Sequence, residues 1–322
     1  MKKKVICITI ILMFITIEVS HVSSKSLVLN IQDKIEGTID SIETAGFGSN
    51  CAIIICGGIN DHHQEEYRRT AEHSRGVLQS YGYIMPDNGI YEGILYQPTL
   101  DEVRNAISFW LPKNLGFEPK QVFIHIMDHG DKPGVYLNPD NEILDYYFLN
   151  TYLASISSKH LVTILIDTCR SGYAIEILSK ENRIIMTSTN HLLTMSSLNF
   201  DKLPFSEGFF NQIALGKTYG EAWEKADKKV FGIWGLSGGV NPQIDDNGDG
   251  KGSGTFLPDK LINLDDGDLA SRVKANTDAS KITKNKHINL RRNVFEMIIK
   301  RFNIIQFNLK NLIKMKISDI NN

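Results

Sequence analysis

Two short stretches carry the residues best equipped for chemistry. Phe123-Ile-His-Ile-Met-Asp-His-Gly130 ends in His129 and Gly130, and Thr163-Ile-Leu-Ile-Asp-Thr-Cys-Arg-Ser-Gly172 ends in Asp167-Thr168-Cys169. A thiol with an ordinary pKa of about 8.5 is only a few per cent ionised at neutral pH. An imidazole within reach can take its proton or hold the thiolate as an ion pair. His129 and Cys169 are therefore candidates for a dyad that performs acyl transfer through a thioester. Such a reaction also needs donors for the developing oxyanion. Gly130 has no side chain to block its backbone N–H, and the N–H of Cys169 is the natural second donor. Arg170-Ser171-Gly172 opens a turn that is expected to set Cys169 near a helix N-terminus.

Other histidines compete for the role of base. His125 alternates on the same strand and points into the sheet layers. His62 and His63 precede a helix and suit a substrate pocket, a metal or a plain surface cap. His129 is preferred because it stands at a strand end and is followed by glycine. Asp128 is expected to position backbone rather than relay charge. Most single cysteines are buried and inert; the partner imidazole is what sets Cys169 apart.

These groups need a scaffold that delivers them to one place. Both stretches begin as apolar, β-branched runs of the kind found in buried parallel strands, and reactive groups in open α/β sheets sit just past the carboxyl ends of strands. Expected strands are Cys51–Cys56, 90–96, Gln121–Met127, Leu161–Asp167 and 183–188. Expected helices are Gln64–Ser80, with Tyr67, Ala71, Val77 and Leu78 inward and Asn60 or Asp61 as cap, and one that Pro98-Thr99-Leu100-Asp101 starts, with Val103, Ile107 and Trp110 on one face and Pro112 as its stop. Further helices are expected over 145–157, Tyr173–Leu178, 205–215 and 219–230. This alternation predicts an α/β fold with a mostly parallel central sheet and helices on both faces.

Composition is ordinary for a globular chain, with 42% hydrophobic and 22% charged residues among 322. The net charge of −2 conceals an asymmetry. Residues 274–317 hold eleven Lys/Arg against two acids, a net +9, which leaves −11 on the remainder. No nucleic-acid partner is expected of such an acidic body. Lys2 to Lys4 followed by an apolar run from Val5 to Ile17 reads as a signal for export, with cleavage near Ser24; an uncleaved anchor is the alternative. Residues 25–50 read as a linker or pro-segment, 51–260 as the main domain and 261–322 as a basic tail. Of the four cysteines, Cys7 leaves with the signal. Cys51 and Cys56 bracket a strand and face opposite ways, so they are not expected to pair.

The stretch 232–255 is rich in Gly, Asn and Asp. Asp245, Asn247, Asp249 and Gly250 match the opening of a calcium loop, but Phe256 stands where its bidentate Glu belongs. A structural calcium and a Gly-rich surface turn both account for the pattern. In the tail, Phe295, Ile298, Phe302, Ile305, Leu309 and Leu312 form one helical face. It is expected to pack on the domain or a partner, to dock over the acidic body, or to adsorb to an anionic membrane surface.

A strand ending in His-Gly, followed forty residues later by a strand ending in acid-small-Cys, resembles the caspase-like clan of cysteine peptidases. With the Gly58-Ile59-Asn60 turn, the two boxes look like the legumain family of asparaginyl endopeptidases, and Asp-Thr-Cys-Arg-Ser-Gly is also similar to metacaspases. The resemblance covers roughly 51–230. It implies a three-layer caspase/hemoglobinase-like fold, a His129/Cys169 dyad, an oxyanion hole from Gly130 and Cys169, and Asp167 lining the P1 pocket. A carboxylate acting alone there favours Arg or Lys. Legumain-like pockets add an arginine and suit Asn; Arg68 or Arg69 could supply it, so P1 stays open. The chain thus reads as an exported cysteine endopeptidase of protein or peptide substrates that needs no cofactor. A transamidase or ligase would share the acyl-enzyme, and a silent binding protein would share only the fold.

Overall fold

The computed structural model describes residues 48–58, 63–87, 92–190, 202–234, 241–254 and 267–281. The export signal, Asn60 to His62 and the tail helix expected around 295–312 lie outside the described residues. A six-stranded sheet runs in the order β2-β1-β3-β7-β8-β9. Its strands are β1 (Cys51–Cys56), β2 (Leu95–Tyr96), β3 (Gln121–Met127), β7 (Leu161–Asp167), β8 (Arg183–Thr187) and β9 (Gln243–Asp245). All neighbours are parallel except β9, which runs antiparallel on β8. Every residue of β1, β3, β7 and β8 is buried. This is why these strands read as unbroken apolar runs rather than as alternating ones.

Helices cover both faces, giving three layers. Ala52, Ile54 and Cys56 of β1 face a cluster with Tyr67, Ala71 and Leu78 of α1 (Gln64–Ser80), with Phe205, Phe209 and Phe210 of α6 (Pro204–Ala214), and with Ala222 and Ala226 of α7 (Tyr219–Trp234). Cys51, Ile53 and Ile55 face the other way. There they meet Val103 of α2 (Leu100–Asn105), Leu111 and Leu115 of α3 (Leu111–Leu115), Leu149 and Leu153 of α4 (Tyr146–Leu153), and Ile175 and Leu178 of α5 (Tyr173–Leu178). The period-2 pleat sends alternate residues of one strand into two separate cores. Both cysteines are free thiols, one in each core.

Three local expectations change. Of the strand expected over 90–96, residues 90 and 91 lie outside the described residues and 92–96 hold only Leu95–Tyr96, because Gly93 turns the chain with a φ of 79°. Pro112 does not stop its helix. A capping box between Thr99 and Glu102 starts α2, a π turn over Ala106–Trp110 follows, and Pro112 falls in the first turn of α3, where its missing N–H costs nothing. The helix expected over 145–157 is α4 alone, with the Asp145 side chain accepting from the N–H of Tyr147 at its start. A small antiparallel sheet, β4 (Gly130–Asp131), β5 (Gly134–Tyr136) and β6 (Ile143–Asp145), leaves the end of β3 and was not foreseen.

The segment 267–281 packs onto the domain. Gln121 at the start of β3 donates to the carbonyls of Lys274 and Thr277 at 2.9 and 2.6 Å and accepts from the phenols of Tyr83 and Tyr219. Asp227 on α7 is also buried, and burial pushes its carboxyl up to about 7, with Lys228 opposing and Glu224 adding. A folded value above the unfolded 3.8 means stability that is present at low pH and lost as pH rises from about 4 to 7. Asp227→Asn escapes that loss. It is expected to match wild type at pH 4 and to exceed it at pH 8 by roughly 2 kcal/mol after discounting for solvent screening. Urea titrations at the two pH values check this.

Candidate functional site

Strands β3 and β7 are neighbours, and their register pairs Met127 with Asp167. His129 and Cys169 therefore each lie two residues beyond the same rung, on strands spaced about 4.8 Å apart. Alignment of the two reactive groups follows from the pairing of two buried strands.

The backbone at this edge is tightly held. Tyr136 of β5 donates its N–H to the carbonyl of His129 at 3.0 Å, so the small sheet holds the backbone of His129 from outside. Gly130 approaches the segment after β7 so closely that a Cβ there would lie 2.6 Å from Oγ1 of Thr168 and 2.7 Å from the carbonyl oxygen of Cys169. Only glycine fits. Gly130→Ala is expected to destabilise the fold by roughly 1–3 kcal/mol through this overlap, visible as a lower urea midpoint. Arg170 adopts a φ of 53° and its guanidinium reaches Oδ1 of Asp131 at 2.6 Å. The N–H of Lys132 and then Arg170 hold the Asp131 carboxyl below the usual carboxylate range. Ser171 and Thr189 bond reciprocally, N–H to hydroxyl at 3.1 and 3.2 Å, and Thr189 Oγ1 donates to the carbonyl of Thr168. The loops after β7 and β8 are thus stitched together. Helix α5 starts only at Tyr173 and spans six residues, so it adds less to Cys169 than a helix opening directly behind it would.

Three thiols differ sharply in setting. Burial pushes Cys51 up to about 12 and Cys56 well above its ordinary value, whereas Cys169 is half-buried. The other histidines separate too. His125 is wholly buried, bonded to Ser74 at 3.1 Å and Ser206 at 2.9 Å, and burial pushes its pKa down to about 3, with His73 adding. It stays neutral inside the layers, as its position on the strand implied. His63, expected as a pocket, metal or capping residue, is buried at the start of α1. Its Nδ1 lies 3.4 Å from Oε2 of Glu66, and its ring centroid is 6.3 Å from that of His129. Tyr67 places its hydroxyl 3.3 Å from Nε2 of His129, with the rings edge-on. The sequence marked Tyr67 as inward-facing but gave no sign of this contact.

Asp167 is wholly buried on the last rung of β7. Its Oδ2 accepts from the N–H of Ser206 at 3.0 Å and from its hydroxyl at 2.5 Å. Burial raises its pKa, against the Ser206 hydroxyl, a nearby Ser188 hydroxyl and the Ser206 N–H. Oδ1 makes no hydrogen bond of good geometry among the described residues. Neither expected arginine reaches it: Arg68 pairs with Glu65 and Glu72, and Arg69 with Glu65, along the outside of α1.

Far from this edge, Asp245, Asn247 and Asp249 lie in one turn. Asp245 accepts from the N–H groups of Gly248 and Gly250, Asn247 from Asp249, and Asp249 from Lys251. The loop is closed by its own hydrogen bonds. Among the described residues, no three His, Cys, Asp or Glu side chains are grouped to hold a metal.

No protein-family model matches the sequence, and no curated protein matches it. Among solved structures, the chain is similar to caspase-1 of Spodoptera frugiperda, with 13% identity and a TM-score of 0.41, over 62% of this chain and 86% of that one.

Proposed function

We propose that this protein is a cysteine endopeptidase that cleaves after Arg or Lys. The observation that carries the reading is the register that sets His129 and Cys169 two residues beyond one rung, with Gly130 against the backbone of Cys169. His129 takes the thiol proton as sulfur attacks the scissile carbonyl, and then returns it to the leaving amine. The N–H groups of Gly130 and Cys169 receive the oxyanion. Water attacks the resulting thioester as His129 takes one of its protons; collapse of the adduct breaks the C–S bond, frees the carboxylic acid and returns that proton from His129 to the sulfur of Cys169. The reaction uses no metal or cofactor.

The P1 preference rests on Asp167. A buried carboxylate with an unsatisfied oxygen and no Lys or Arg bonded to it among the described residues is costly. A substrate guanidinium or ammonium supplies the missing partner. Export rests on the composition of Met1 to Ser24.

Incubating wild type and Cys169→Ala with a diverse peptide library, and mapping each cut by mass spectrometry, tests both parts. Cuts after Arg and Lys by wild type alone are expected. Equal cutting by both proteins, or none by either, overturns the reading.

A further inference from the structure

We propose that Tyr67 is a positioning residue for the base: its phenol oxygen accepts the Nε2 proton of His129 and so keeps Nδ1 as the lone pair that meets Cys169. This rests on the dyad reading above and deepens it. A neutral imidazole carries one proton, and the bond made by one nitrogen fixes the role of the other. The hydroxyl stands 3.3 Å from Nε2, and the ring centroids are 5.6 Å apart at 87°. If the phenol donated instead, the proton would sit on Nδ1 and that nitrogen could not accept from a thiol. With the phenol as acceptor, the contact also survives catalysis: once His129 takes the thiol proton, both nitrogens donate and Tyr67 accepts as before.

The phenol is delivered by a rigid element. Tyr67 belongs to the buried stripe of α1 with Ala71 and Leu78. The helix is anchored at its first turn, where the Gln64 amide donates to the carbonyl of Gly57 at 2.9 Å, and at its second, where Thr70 accepts from the N–H of Leu203 at 2.9 Å. The N–H of Tyr67 itself bonds the carbonyl of His63 at 3.1 Å. One turn of helix thus brings a phenol to a nitrogen sixty-two residues away in the chain.

Tyr67→Phe keeps the ring and its edge-on contact and removes one oxygen. Two measurements decide the matter. In a Cys169→Ala background, where the thiol no longer competes for the ring, long-range proton–nitrogen spectra at pH 8.5 are expected to show His129 as the Nε2–H tautomer, and a mixture once Tyr67→Phe is added. His129→Ala assigns the signals. In the protein that keeps Cys169, Tyr67→Phe is expected to lower kcat about tenfold with KM within about twofold, at an unchanged melting temperature. An Nδ1–H tautomer with Tyr67 present, or unaltered tautomers in the Phe variant, overturns the proposal. So does an altered tautomer with unaltered kcat. The spectra need no activity, so they judge the Tyr67 contact even if the library experiment removes the peptidase reading.

Discussion

Replacing His129 with alanine is expected to lower kcat by about a thousandfold on peptides cut by the wild type, with little change in KM. Two losses combine. The thiol of Cys169 has no base to ionise it, and the leaving amine has no acid to protonate it. Binding should survive, because the ring sits at the strand edge and contributes no part of the core. The backbone of His129 is held by the N–H of Tyr136 and its ring by the hydroxyl of Tyr67, so alanine removes the imidazole and leaves the backbone frame in place. Steady-state kinetics on one fluorogenic peptide measure this. A kcat within tenfold of wild type would move the base elsewhere, and His63, with its ring 6.3 Å away, would be the first residue to examine.

Asp167→Asn is expected to cut kcat/KM for substrates with P1 Arg or Lys by a factor of about a hundred to a thousand, the equivalent of roughly 3–4 kcal/mol for a lost buried charge partner. Substrates with a neutral P1 should lose little. The amide oxygen can still accept both bonds from Ser206, so the frame of the site persists. Stability should not suffer. Burial raises the wild-type pKa, so Asp167 contributes stability at low pH that is lost as pH rises through its folded value. The amide carries no such loss. Paired peptides that differ only at P1 give the ratio, and an unchanged ratio would remove Asp167 from substrate recognition.

The parts of the fold that could be read beforehand are those where burial dictates composition. Strands β3 and β7 match their apolar runs at both ends, and α1 spans the predicted Gln64–Ser80 because its inward stripe repeats at helical spacing. The small sheet escaped because strands of two or three residues hold too few positions to show alternation. Strand β9 escaped for a related reason: it is a three-residue antiparallel edge inside a Gly-rich stretch. Around the candidate site, the placement of His129, Gly130 and Cys169 just past two paired strands was legible because strand ends announce themselves. Tyr67 and Ser206 were not. Each reaches its partner across a long stretch of chain, and neither a phenol on an apolar stripe nor a serine in a helix carries a local sign of what it will touch.

The shared rung has a bearing on ancestry. The rung beyond which His129 and Cys169 leave the sheet is set by the pairing of two adjacent strands, not by the hairpins and helix that join them. Those joining segments can lengthen, shorten or change sequence while the reactive pair stays aligned. The pairing itself thus depends on few positions and leaves the intervening chain free to drift, so two proteins can share this strand arrangement after their sequences have ceased to be alignable.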